Sequence, residues 1–101
     1  MRLSRVCGNV VATVKAGGLA RFKLLLIRDV DARDPARDDA AGGPVYAAVD
    51  LVGAGEGEIV LVAHGGAARI DHGAGSIPTD AAIVAIVDSA QLDSRTTFVK
   101  G

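Results

Sequence analysis

Residues 53–63 read Gly53-Ala54-Gly55-Glu56-Gly57-Glu58-Ile59-Val60-Leu61-Val62-Ala63, a glycine-rich turn that runs straight into an apolar segment. The apolar segment is too short for a helix and rich in β-branched residues, which favours a buried strand. A phosphate-binding loop would need a helix there, with the phosphate at its N-terminus. Glu56 and Glu58 would also repel a phosphate, and the lysine of a P-loop is missing. The glycines are better explained by a tight turn between strands, or by a close approach of the backbone to a neighbour.

The composition around this stretch is that of one small aliphatic domain. The chain has 101 residues, of which 50% are hydrophobic, yet its aromatic residues are one Tyr and two Phe. With 11 basic and 12 acidic residues the formal net charge is -1, whereas a sequence-independent nucleic-acid binder needs a basic excess. Cys7 is the only cysteine, so an intramolecular disulfide is impossible and a reducing cytosol is expected. The N-terminus has no signal-peptide pattern and the apolar runs are short, which predicts a cytoplasmic protein without a membrane span.

Short alternating or continuously apolar segments predict five or six β-strands joined by turns. The first segment alternates in a way that directs Val10, Ala12 and Val14 to one face. Residues 65–70 have small side chains and predict one short helical turn, and the charged stretch 31–44 predicts a solvated loop. The pattern is typical of a compact all-β barrel or sandwich. The predicted strands cover residues 6–15, 23–27, 45–52, 59–63, 83–87 and 96–99.

Three other patterns point towards chemistry, and each has a more ordinary explanation. The run His64-Gly65-Gly66 is similar to the oxyanion-hole segment of esterases, but no G-x-S-x-G nucleophile elbow accompanies it. His64 and His72, with Asp71, lack the spacing of a metal site. Cys7 lies near the start of a strand without a local basic partner, which favours a small packed thiol over a nucleophile. We therefore expect no enzyme activity, no cofactor and no dedicated metal site.

Three stretches together resemble one protein family, almost from end to end and in the family's order. They are residues 6–15 with Gly18-Leu19 and 23–26, residues 48–61 around the glycine turn, and residues 78–88, which begin Pro78-Thr79-Asp80. A Gly-Ala-Gly-x-Gly-Glu turn followed by a Pro-x-Asp strand resembles the bacterial microcompartment vertex proteins of the EutN/CcmL type. The resemblance implies a single vertex domain over residues 1–101, folded as a small OB-like barrel of five to six strands. It also implies a structural shell protein whose cyclic pentamers cap the vertices of a polyhedral shell otherwise tiled by hexamers.

The same resemblance places Gly53, Gly55, Gly57 and Glu58 at or near the seam between subunits, around the central axis. A five-fold ring needs one patch of a subunit to meet a different patch of the next, and small residues let the two backbones approach closely. The charged insertion 31–43 departs from shorter family members, which leaves open the surface that meets neighbouring hexamers.

Two alternative functions come from other classes. An OB-like nucleic-acid-binding module would hold single strands on aromatic platforms in a basic groove, for which Phe22, Tyr46 and Phe98 are few and scattered. A small metal- or ligand-binding enzyme subunit is the other, and the spacing of its candidate ligands argues against it. The expected partners are therefore further copies of this chain and hexameric shell proteins, with neither a nucleic acid nor a membrane.

Overall fold

The computed structural model describes residues 1–13, 15–37, 43–65 and 79–101, and seven β-strands run through these ranges. The strands are β1 (Arg2–Val10), β2 (Lys23–Asp29), β3 (Tyr46–Asp50), β4 (Ile59–His64), β5 (Ala81–Ile86), β6 (Ser89–Leu92) and β7 (Arg95–Val99). The first five close into a barrel in the order β1-β2-β3-β5-β4, and β6 and β7 form a separate two-stranded sheet. Neighbouring barrel strands are antiparallel except β3 and β5, which run parallel. The prediction of a small, OB-like all-β barrel is confirmed.

The first strand starts and stops earlier than the predicted range 6–15. The register between β1 and β2 shifts just after Val6, which marks a β-bulge. The bulge lies before Val10, so it does not interrupt the alternation of Val10, Ala12 and Val14, and that alternation continues in the sequence past the last residue of β1. Of the side chains predicted to point inward, Val10 and Ala12 are half-buried, and Val14 lies outside the described residues.

The other predicted strands agree with the structure to within two residues at each end, but β6 was not predicted. Its sequence, Ser89-Ala90-Gln91-Leu92, has neither a β-branched nor an aromatic residue, so it carries little strand signal of its own. The predicted helical turn at 65–70 falls almost wholly outside the described residues. Within the described ranges, helical structure consists of a 3₁₀ turn, Gly17–Leu19, and Gly65, the first residue of the predicted helical turn, which has 3₁₀ conformation. In the predicted charged loop, residues 31–37 form consecutive turns and residues 38–42 lie outside the described ranges.

The interior of the barrel is aliphatic, as the composition implies. Complete burial of a Val, Leu or Ile side chain stabilises a fold by roughly 1.5–3 kcal/mol. The core residues are Val6, Leu25, Ile27, Ala48, Ala54, Val60, Val62, Ala81 and Ile83, with Tyr46 and Ile86 packed against them. Ala54 belongs to the glycine turn, so this turn is anchored from the inside of the barrel. Among the described residues, no helix has the length and apolar character needed to cross a membrane.

Candidate functional site

The first half of the glycine turn is organised by the carboxylate of Asp50, the last residue of β3. Its Oδ1 atom accepts hydrogen bonds from the backbone N–H groups of Val52 at 3.1 Å, Gly53 at 3.1 Å and Ala54 at 3.2 Å. Asp50 is buried, with 7% of its surface exposed. Three backbone donors that converge on one oxygen of a buried carboxylate fix the path of the chain. Sequence reasoning missed Asp50, although an Asp followed three residues later by Gly is a turn signal.

The second half of the turn is closed by Glu58. The Gly55 N–H donates to Glu58 Oε1 at 2.7 Å, and the Glu58 N–H donates to the Gly55 carbonyl at 3.1 Å. The Lys100 ammonium lies 2.6 Å from Glu58 Oε2. Lys100, and then the Gly55 N–H, hold the pKa of the Glu58 carboxyl below its usual range, and the same carboxylate raises the pKa of Lys100. Glu58 therefore ties the turn to the C-terminal end of the described chain.

Two further backbone bonds fasten the turn to the barrel. The Gly57 N–H donates to the Val6 carbonyl at 2.8 Å, and the Val6 N–H donates to the Glu58 carbonyl at 3.0 Å. A phosphate cradle needs free N–H groups that converge on one point. Here the N–H groups of Gly53, Ala54, Gly55 and Gly57 already donate to protein oxygens. The geometry therefore supports a rigid structural turn and not an anion site.

The three glycines predicted to lie at the subunit seam differ in backbone conformation. Gly53 and Gly57 have φ angles of +77° and +88°, in the left-handed region that glycine tolerates best. At Gly55 the backbone lies outside that region, and an added Cβ would meet only Glu58 Oε1, at 3.4 Å. All three are exposed, and Glu58 is half-buried. The structure thus brings the four predicted residues together on one exposed turn, and their place at a subunit seam stays a prediction.

A second polar cluster was not found from the sequence. The Asp29 carboxylate accepts hydrogen bonds from the hydroxyls of Ser4 at 2.8 Å and Tyr46 at 2.6 Å, and from the Arg2 guanidinium at 3.0 Å. The Tyr46 oxygen also lies 2.9 Å from Nε2 of His64. Because the Tyr46 proton is donated to Asp29, the His64 Nε2–H is the donor in this contact. The residues of this cluster come from four different strands, so no short-range sequence pattern predicts that they lie together.

The polar groups in and beside this cluster are already hydrogen-bonded and are not arranged for catalysis. The Ser4 hydroxyl is completely buried and donates to Asp29 rather than to a histidine, so it is not placed as a nucleophile. The N–H of Gly65, which follows His64, donates to the Asp80 carbonyl at 2.8 Å and is not available as an oxyanion donor. Of the residues considered and rejected above as metal ligands, His72 and Asp71 lie outside the described residues. Within the described ranges, no three His, Cys, Asp or Glu side chains are grouped as metal ligands.

Two concave surfaces border the glycine turn on its outer side. One, of about 700 Å³, lies between the turn and residues 28–37, and its lining mixes basic and acidic side chains. The other, of about 570 Å³, lies along the end of β1 and the start of β2 and is lined in part by Val10, Val11 and Leu24. The Val11 side chain is 90% exposed. The same lining includes three basic side chains and Glu56. A concave surface that combines exposed apolar and charged side chains beside a rigid turn is suited to contact with another protein.

Comparisons with known proteins identify the family of this chain. Residues 1–88 match the family described as ethanolamine utilisation protein EutN/carboxysome. The chain is 40% identical to the carboxysome shell vertex protein CcmL of Synechocystis sp., over 99% of this chain and 95% of that protein. A solved structure of the carboxysome subunit CcmL superposes with a TM-score of 0.80 at 38% identity and covers 100% of both chains. The pentameric microcompartment shell protein GrpN from Rhodospirillum rubrum superposes with a TM-score of 0.73 at 38% identity, over 91% of this chain and 98% of that one.

The family model matches most of the chain, and the relatives are similar to it over almost its whole length. Both comparisons lead to the same family. The glycine turn and the strands on either side of it lie within the stretches of sequence on which the resemblance was based. This chain belongs to the EutN/CcmL family of microcompartment shell proteins.

Proposed function

We propose that this chain is a vertex protein of a bacterial microcompartment shell, where it forms cyclic pentamers. The observation that carries the proposal is its match, along nearly its whole length, to proteins named as shell vertex proteins and as a pentameric shell protein. The barrel itself agrees with a structural role. Its interior is filled with aliphatic side chains, and its polar groups near the turn are engaged with each other.

A pentamer at a vertex supplies the curvature that a flat layer of hexamers lacks. A layer tiled only by six-fold units cannot close, and replacing a six-fold unit by a five-fold one bends the layer. The partners under this proposal are copies of this chain and hexameric shell proteins, and the role needs no catalytic group, cofactor or metal. The site of action is the shell of the compartment.

Within the ring, we place the exposed glycine turn at the seam between subunits. The turn presents Gly53, Gly55 and Gly57, so the neighbouring backbone can approach closely at these three positions. It is rigid, because Asp50, Glu58 and the backbone of β1 hold it from three directions. Rigidity keeps the entropy cost of ordering an interface low.

The alternative of an OB-like nucleic-acid-binding module is not favoured. Phe22, Tyr46 and Phe98 are all partly buried, and the Tyr46 hydroxyl is engaged by Asp29. Stacking of bases requires aromatic faces open to solvent and close together. No described aromatic pair meets that requirement, and the balanced charge offers little attraction for phosphates.

Native mass spectrometry tests the proposal directly. The expected species has five times the 10.2 kDa mass of one chain. A monomer or dimer at every concentration would contradict the pentamer. Electron microscopy after co-expression with a hexameric shell protein tests the vertex role: closed polyhedra are expected with this chain and open sheets or tubes without it.

A further inference from the structure

The hairpin formed by β6 and β7, residues 89–99, is a second sheet attached to the barrel and is called the arm here. Its turn, Asp93-Ser94, has positive φ at both residues, 52° and 62°, as a tight two-residue hairpin turn requires. Neither arm strand pairs with a strand of the barrel. Among the described strands, the arm is therefore separate from the hydrogen-bond ladders of the barrel.

The arm has no core of its own to hold it in place. The core side chains and those packed against them all belong to the barrel strands and the glycine turn. At its base, the arm is fixed by the Lys100 N–H, which donates to the Asp88 carbonyl at 2.8 Å, and by the ion pair of Lys100 with Glu58. An isolated two-stranded hairpin is at best marginally stable in water and needs a third strand or a packing surface. A partner surface outside the chain would supply it.

The arm exposes apolar side chains on both of its faces. On one side of β6, Ala90 pairs with Phe98 and Leu92 pairs with Arg95, with a bulge between the two pairs. Val99, which pairs with Ser89 on the other side, is 67% exposed. Leu92 is 38% exposed although it is one of the larger side chains of the arm. On β6 these apolar positions alternate with Ser89 and Gln91, both exposed. Alternation of this kind is the pattern of a strand with one buried face.

The groove of about 570 Å³ beside the glycine turn offers a contact surface on the barrel, with an apolar part and a charged part. Its lining includes the exposed Val11 together with Val10 and Leu24, and it ends at Gly55 of the glycine turn. No residue of the arm lines this groove in the chain's own structure. Its volume lies within the range that accommodates several side chains.

We propose that the arm of one copy packs its Ala90, Leu92 and Phe98 face into this groove on the next copy around the ring. This inference rests on the proposed pentamer, and it specifies that the arm of one subunit contacts the groove of the next. A closed ring needs two different patches on every subunit, and the arm face and the groove are two such patches. Both adjoin the glycine turn, the arm through Lys100 and Glu58 and the groove through Gly55, so the contact is continuous with the proposed seam.

A disulfide between neighbours tests the contact. In a Cys7→Ser background, Leu92→Cys combined with Val11→Cys is expected to give, after mild oxidation, a ladder of covalent multimers up to five on a denaturing gel. Each single-cysteine variant is the control and should give no ladder beyond dimers. Native mass is measured on the same samples. A pentamer that forms no ladder, or only an internal disulfide, overturns the arm contact but leaves the proposed function intact, whereas a monomer before oxidation contradicts the proposed function itself.

A charge placed on the arm provides a second measurement that needs no cross-link. Leu92→Asp should raise the concentration at which half the chains are assembled by about tenfold or more, because a charge would be buried at the contact. Gln91→Asp, on the other face of the same strand, is the matched control and should leave that concentration nearly unchanged. Circular dichroism should show the same barrel in both variants. Equal assembly of the two variants would overturn the proposal.

Discussion

Around the Asp29 carboxylate, three donors from β1 and β3 converge at 2.6–3.0 Å, and one of them, the Tyr46 hydroxyl, also meets His64. Burial alone raises the pKa of Asp29, but the bonds from Tyr46, Ser4 and Arg2 outweigh it and lower that pKa. The contribution of Asp29 to stability is therefore present above its unfolded pKa and is lost as the pH falls through the lower folded value. This cluster joins the side of the barrel where β1, β2, β3 and β4 meet.

The ionisation of Tyr46 can be followed by ultraviolet absorbance without interference, because it is the chain's one tyrosine and the chain has no tryptophan. Burial, and then the hydrogen bond to Asp29, raise the pKa of Tyr46 from 10.0 to about 12. Ultraviolet absorbance of the tyrosinate should therefore show a midpoint near 12 in the folded protein and near 10 in urea. The stability that the neutral phenol contributes is complete below pH 10 and is lost as the pH rises towards 12.

Asp29→Asn is the control for this titration. It removes the carboxylate but keeps the burial of the ring, so the midpoint should move part of the way back towards 10. A folded wild-type protein that titrates near 10 would contradict the hydrogen-bonded, partly buried hydroxyl.

At the scale of elements, the arm differs from the barrel in how its strands are held. Every barrel strand is hydrogen-bonded on both sides, whereas β6 and β7 pair only with each other among the described strands. Their turn also places Asp93 and Ser94 at positive φ. A non-glycine residue in that conformation costs roughly 1–2 kcal/mol, although Asp tolerates it better than Ser.

Ser94→Gly should therefore stabilise the arm by about 1 kcal/mol, since glycine adopts a φ near +62° without strain. Hydrogen exchange of the amides in residues 89–99 is the measurement, and it should slow by about fivefold. Ser89→Gly at the start of β6 is the matched control, where the backbone is extended and no gain is expected. Equal slowing in both variants would show that the turn is not the source of the strain.

At the scale of the whole molecule, the closed barrel leaves no unpaired edge among its five described strands for another copy to extend. Within the described part of the chain, faces, turns and the arm remain for association. The glycine turn offers a test of the seam because its glycines respond differently to substitution. Gly53 and Gly57 would be strained in any variant with a side chain, but Gly55 has an ordinary backbone conformation and only the flexible end of Glu58 near it.

Gly55→Val should therefore leave the barrel folded and abolish or strongly reduce the pentamer, since the added side chain would lie where the neighbouring backbone is proposed to approach. Native mass spectrometry measures assembly, and thermal unfolding followed by circular dichroism checks the fold. Gly17→Val is the control, because Gly17 also has open space around it and lacks a positive φ. A pentamer that survives Gly55→Val unchanged would remove Gly55 from the seam.

Much of the barrel could be predicted from local patterns. The apolar runs that became β2, β4 and β5 were found within two residues because a buried strand needs a short, continuous aliphatic segment whatever its neighbours are. The glycine turn was also found, and the strand after it excluded a phosphate loop. The end of β1 was predicted too late because the apolar alternation continues to Val14, beyond the last residue of the strand, and β6 was missed because its residues are weak strand formers.

The amino-acid sequence by itself thus determined the all-β class, the positions of most strands, the glycine turn and the family to which the chain belongs. Tertiary structure alone decided the order in which the barrel closes, the role of Asp50 as the organiser of the turn, the cluster around Asp29 and the separate arm. The reason is the range of the interactions. Propensity and periodicity act between near neighbours, whereas the bond from Lys100 to Glu58 spans 42 positions and that from Ser4 to Asp29 spans 25. Such contacts exist only once the barrel has brought distant strands together.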